Sequence, residues 1–109
     1  MKLYLAGPMT GYREFNFPAF KYETEILRNM GHEVFSPAER DLDDGFDPTK
    51  DEAKPLRHYM TFDLPAVLDA EAVVVLPVWE HSKGARLEVH VAQECDIPVF
   101  TVATFKAQH

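Results

Sequence analysis

The sequence predicts an α/β domain, a small parallel sheet of about four strands sandwiched in three layers by helices on both faces. Two observations carry this expectation. Four short apolar runs, Lys2–Ala6, Glu33–Ser36, Ala72–Leu76 and Ile97–Val102, are rich in β-branched or aromatic residues, and the first three are closed by glycine or proline. Between them lie segments with apolar residues at three-and-four spacing, so strand and helix alternate along the chain. Such alternation implies right-handed crossovers, and a ligand crevice outside the carboxyl ends of the strands where strand order reverses. The 109 residues suffice for one core and are expected to form one domain.

The first run, Lys2–Ala6, ends in Gly7-Pro8-Met9-Thr10-Gly11. Glycines here permit backbone angles and close approaches that a side chain forbids. The turn serves either as a plain strand-to-helix connection or as part of a ligand site. It carries neither the G-x-G-x-x-G pattern nor a Walker lysine, so no nucleotide cofactor is expected. Phe15 to Met30 then has helical spacing at Phe20, Glu23 or Thr24, Leu27 and Met30, and Gly31 stops it. Tyr12, Phe15, Phe17, Phe20 and Tyr22 crowd its start, as core or as walls of a pocket beside the glycine turn.

After the second strand, ended by Pro37, residues 38–54 hold seven carboxylates together with Gly45 and Pro48 and show no periodicity. The expectation is a solvated acidic loop, a lid or disordered. Its carboxylates lack the spacing of a calcium loop, so no metal is expected. Pro55 suits a helix start, and Leu56, Tyr59, Met60, Asp63 and Val67 form the stripe of the helix that follows. Pro65 removes one backbone hydrogen bond, which predicts a kink or break just after Asp63. Asp63 is then either a cap for the segment beyond or a carboxylate turned inward.

The third strand leads through Pro77 to Trp79-Glu80-His81-Ser82, with Ser82 placed to cap a helix from Lys83 to about Cys95. Ala85, Glu88, Val91, Ala92 and Cys95 share one face of it. An ion in that stripe costs several kcal/mol unless it is compensated, on the order of the desolvation of one buried charge. Glu88 is therefore either in a salt bridge, within the core or to a partner subunit, or in a reactive site. Two inward carboxylates beside a glycine turn and a serine-capped helix make a chemical constellation. One can attack a sugar carbon while the other protonates a leaving group, and the helix start can hold an anion. The last strand is followed by a short polar tail.

The remaining composition narrows the partners. Eleven basic against eighteen acidic side chains give a net charge of −7, which argues against a nucleic-acid polymer. No apolar run approaches the roughly 18 residues needed to span a bilayer. The single Cys95 allows no intrachain disulfide, and the expected location is the cytoplasm.

Tyr4-Leu5-Ala6-Gly7-Pro8-Met9-Thr10-Gly11, then Asp63, then Val73-Val74-Val75-Leu76-Pro77 and Ser82-x-Gly84-Ala85-x-x-Glu88 resemble the nucleoside 2-deoxyribosyltransferase superfamily. The similarity spans nearly the whole chain and is closest to a compact branch frequent in bacteriophage and bacterial genomes. It implies a flavodoxin-like fold and cleavage of N-glycosidic bonds in (deoxy)nucleosides or their 5′-monophosphates. It further implies Glu88 as nucleophile at the anomeric carbon and Asp63 as proton donor or hydrogen-bond partner to the leaving base. Tyr4, Gly7, Pro8, Met9, Thr10, Trp79, Ser82 and Gly84 are expected to surround the substrate. Where the nucleoside transferases have an aspartate for the free 5′-hydroxyl, this chain has Ser82, as in monophosphate hydrolases, where a serine meets phosphate. The chain departs from the hydrolase branch at Met9-Thr10, where an arginine is usual and Arg13 follows slightly later. Sites of the family are often completed by a neighbouring subunit, so a homo-oligomer is expected. Two other classes of function are compatible with these residues, a nucleotide-binding module that does not cleave and a purely structural oligomer subunit.

Overall fold

The computed structural model describes all residues 1–109. Strands β1 (Lys2–Ala6), β2 (Glu33–Phe35), β3 (Ala72–Val75) and β4 (Val99–Thr101) form one parallel sheet in the order β2-β1-β3-β4. Tyr4 pairs with Val73 on one side and Phe35 on the other, which puts β1 and β3 at the centre. Strand order reverses at β1, and the crevice expected at such a point opens beyond Ala6 and Val75.

Side chains alternate across these strands with period two. Leu3, Leu5, Ala72, Val74 and Leu76 point to one core, which is filled by Phe20 and Leu27 of α1 (Phe17–Asn29) and Phe105 of α5 (Val102–Gln108). Tyr4, Ala6, Val73 and Val75 point to the other, which receives Val67 of α3 (Leu56–Asp69) and Ala85, Val89 and Ala92 of α4 (Lys83–Glu94). Two covered faces explain why the central strands are apolar throughout. No helix is long and apolar enough to cross a membrane.

Four expectations are corrected. The segment from Pro37 is not all loop, since α2 (Pro37–Asp43) occupies its first turns. Ser36 caps α2 by accepting a hydrogen bond from the N–H of Glu39, and Arg28 of α1 reaches both oxygens of Glu39 at 2.7 Å. The rest folds back through local turns, with the N–H of Thr49 donating to Asp47 Oδ1 at 2.9 Å. Second, α3 runs unbroken through Pro65 to Asp69, so Asp63 is an interior helical residue and caps nothing. Pro65 has no N–H to give the carbonyl four residues back, but Asp63 and Val67 are both buried and hold the helix on the sheet. Third, the polar tail is helix α5, capped by Thr101 and anchored by the fully buried Phe105, whose burial contributes about 2 kcal/mol. Fourth, Val89 rather than Cys95 completes the inward face of α4, and Cys95 is exposed.

Two glycines bear directly on the crevice. Gly11 adopts φ +89°, a conformation costly to other residues. Gly7 is constrained by space instead, because a Cβ there would lie 2.8 Å from Leu76 Cβ. Gly7→Ala is expected to destabilise the fold by about 1–3 kcal/mol, seen as a lowered melting temperature. Gly84→Ala would meet the tips of two flexible side chains, Leu56 at 3.3 Å and Met60 at 3.8 Å, and is expected to cost less.

Candidate active site

The site begins with Tyr4, the middle residue of β1. Its ring is fully buried and stacks on Phe35 with centroids 5.6 Å apart. Its hydroxyl donates to Glu88 Oε2 at 2.6 Å, across the gap between β1 and α4. Ser82 sets the depth of α4 by accepting a hydrogen bond from the N–H of Ala85 at 3.2 Å, and Glu88 follows in the second turn. From α3 on the same side, Asp63 brings its buried carboxyl to the same cleft, near enough to Glu88 for each to act on the other's charge. Glu88 is 4% exposed and Asp63 5%. Neither forms a salt bridge, which removes the ion-pair explanation for Glu88 within this chain.

Two carboxyls this close, out of water and without a cation, do not both ionise near neutral pH. Burial is the largest influence on Asp63 and raises it to about 7. Burial also raises Glu88 well above the usual carboxylate range, while the Tyr4 hydrogen bond works in the opposite direction. The proton belongs to the pair. Because Tyr4 donates to Glu88, it favours the arrangement in which Glu88 is the anion and Asp63 holds the proton. Tyr4 itself is raised well above its ordinary value, first by burial and then by Glu88. Tyr4→Phe removes the donor, so the midpoint of Glu88 is expected to move up by about one pH unit or more, read by NMR of labelled carboxyls. An unmoved midpoint would show that the hydrogen bond has no hold on Glu88.

Above the pair lies a small cleft of about 80 Å³ that opens to solvent at its mouth. Of the residues singled out in the sequence, Gly7, Met9, Thr10, Asp63, Ser82, Gly84 and Glu88 line it. Tyr4 sits beneath it. Pro8 and Trp79 depart from expectation. Pro8 is fully buried outside the lining, its carbonyl accepting from Asn16 Nδ2 at 2.9 Å, and Trp79 packs half-buried against the α4-side core. Of the aromatics near the glycine turn, Phe15 and Phe17 are walls of the cleft, while Tyr12 is exposed outside it.

The structure adds residues that sequence reasoning missed. Asp41 of α2, 6% exposed, is a third carboxylate in the lining, beside Pro37, Phe46, Tyr59 and Met60. Burial raises its pKa, and Arg40, 3.5 Å from Oδ1, partly opposes that. The S-P-A-E capping pattern at Ser36–Glu39 was the available signal for α2, and Pro37, Ala38 and Asp41 fall on its inward face. Phe15 reaches the cleft through an unusual backbone, in which Glu14, Phe15 and Asn16 are all left-handed, with φ of 51°, 52° and 62°. Such residues cost on the order of 1–3 kcal/mol each and cluster at ligand sites. Here they are held by the Asn16–Pro8 bond and by Phe15 edge-on to Phe46 at 5.1 Å. No lysine, arginine or histidine lines the cleft, and no three His, Cys, Asp or Glu side chains are grouped as metal ligands.

The fold, a four-stranded parallel sheet covered by helices on both faces, is that of a solved 2-deoxyribosyltransferase. The solved structure of a 2-deoxyribosyltransferase from Bacillus psychrosaccharolyticus, described as a biocatalyst for the synthesis of antiviral and antitumoral nucleosides, superposes with a TM-score of 0.68. The match covers 93% of this chain and 71% of that one at 23% identity. No functionally curated protein matches the sequence. The chain belongs to the family described as a domain of unknown function, DUF4406, whose model matches residues 1–101.

Proposed function

We propose that the protein cleaves the N-glycosidic bond of a (deoxy)nucleoside 5′-monophosphate, by hydrolysis or base exchange, as a cytoplasmic homo-oligomer. The observation that carries this is the buried Tyr4–Glu88 hydrogen bond with the buried Asp63 carboxyl beside it at the foot of the cleft. Glu88, as the anion, attacks the anomeric carbon while the bond to the base nitrogen breaks and Asp63 gives its proton to the departing base. The sugar is then an ester of Glu88. Water, or a second base, attacks the same carbon, its proton passes to Asp63, and Glu88 leaves as the carboxylate.

The 5′ end belongs at the start of α4. From Ser82 to Glu88 the helix advances about 9 Å, enough for a sugar phosphate to lie alongside. Ser82 uses its oxygen to cap Ala85 and keeps its O–H to donate, and the first N–H groups of a helix favour an anion. Ser82 is only half-buried and Lys83 beside it is exposed, so the phosphate stays at the rim, clear of the carboxylates further in. A panel of nucleosides and their 5′-monophosphates, with free bases resolved by chromatography, tests this reading. Base release from a monophosphate is expected. Ligand binding with every member recovered intact would identify a binding module instead.

A further inference from the structure

We propose that Asp41 selects the leaving base, accepting a hydrogen bond from an exocyclic amino group, so that amino-bearing bases are preferred to their oxo counterparts. The inference rests on the reading of the cleft as an N-glycosidase site. It begins from a group that the bond-breaking chemistry does not use. Asp41 is buried and lines the cleft, yet its only side-chain partner is Arg40, at 3.5 Å from Oδ1. Oδ2 has no partner. Arg40 is itself shared, lying 3.5 Å from Asp44 and 3.4 Å from the centre of the Phe62 ring. A carboxylate in the cleft lining with one oxygen free of protein partners offers that oxygen to a ligand's N–H.

The layout of the cleft decides which part of a substrate meets it. Ser82 and Gly84 at the start of α4 take the sugar's 5′ end, and Glu88 and Asp63 take the bond to be broken. The base must extend the other way, over Asp63 toward α2. That end is walled by Phe15, Phe17, Phe46 and Tyr59, flat apolar surfaces suited to a planar ring. Asp41 is the polar group there, close enough for its charge to act on Asp63. An ionised carboxylate accepts hydrogen bonds and cannot donate them. It therefore receives the N–H of adenine or cytosine, and it repels the carbonyl that hypoxanthine or uracil carries at the same position.

The experiment uses two arms. Calorimetric titration of the wild-type protein with the free bases adenine, hypoxanthine, cytosine and uracil is expected to show each amino member binding at least about tenfold tighter than its oxo partner. In Asp41→Asn, whose amide can also donate, the preference is expected to shrink toward unity or reverse. The kcat/KM ratio for adenine against hypoxanthine nucleotides should follow the same course. No amino preference in the wild type, or a preference that survives Asp41→Asn, overturns the proposal. An equal loss of kcat/KM for both nucleotides of a pair, with free-base binding unchanged, overturns it too and would assign Asp41 to a sugar hydroxyl. The two readings fail separately. An Asp41-dependent preference among free bases without any cleavage would leave this proposal standing and remove the glycosidase. Cleavage indifferent to the amino group would do the reverse.

Discussion

Glu88→Gln is expected to abolish base release and at the same time to make the protein more stable. The first effect follows from removing the attacking oxygen, and a loss of about a thousandfold or more is the scale for a nucleophile. The second follows from the position of Glu88, 4% exposed with no cation against it. Burial raises its folded pKa above the unfolded value. Between those two values the folded state binds more protons than the unfolded chain, so stability falls as pH rises. The favourable contribution is whole below the unfolded value and is lost as pH climbs through the folded one. Glutamine does not titrate, and its amide oxygen can still accept from Tyr4. The variant should therefore gain most at pH 8 and little at pH 4. A gain of about 2 kcal/mol, or several degrees in melting temperature, is the expected size at the alkaline end. Thermal melts of both proteins across that range measure it, and a variant destabilised at pH 8 would contradict the account of the buried pair.

Asp63→Asn removes the proton that the leaving base requires, and a loss of about 10²–10⁴-fold is expected. The pH profile is the sharper readout. Burial holds Asp63 above the usual carboxylate range, so wild-type activity should fall on the alkaline side as the acid gives up its proton. The asparagine variant should lack that alkaline limb. It should also regain much of its rate on a substrate whose base departs without protonation, such as a 7-methylated purine nucleotide, since there the donor has nothing to supply. A defect equal for both kinds of leaving group would point to a role in positioning only.

What could be read from the sequence is the part governed by strong local rules. The central strands are apolar because both faces are covered, and Ser82 announces the start of α4. Glu88 stands out because a carboxylate in an apolar helical stripe has few physical explanations. Asp41 was hidden by its company. Seven carboxylates in residues 38–54 suggested a solvated loop, and composition outweighed the Ser36–Glu39 capping pattern that forms α2. Pro65 misled in the opposite way, since one lost hydrogen bond is outweighed by packing of the helix on both sides of it. The left-handed run at Glu14–Asn16 contains no glycine, so nothing in it marks the turn that carries Phe15 into the cleft. Phe105 lies three residues beyond Val102, too short a repeat to distinguish a helix from a tail.

The central claim is that the sugar is transferred to Glu88, and the most direct measurement is mass spectrometry of the protein quenched in acid during turnover. The account predicts one added sugar on the peptide containing Glu88, absent from Glu88→Gln and from protein incubated with free base alone. Continued base release by Glu88→Gln at the wild-type rate, with no adduct on that peptide, would contradict it.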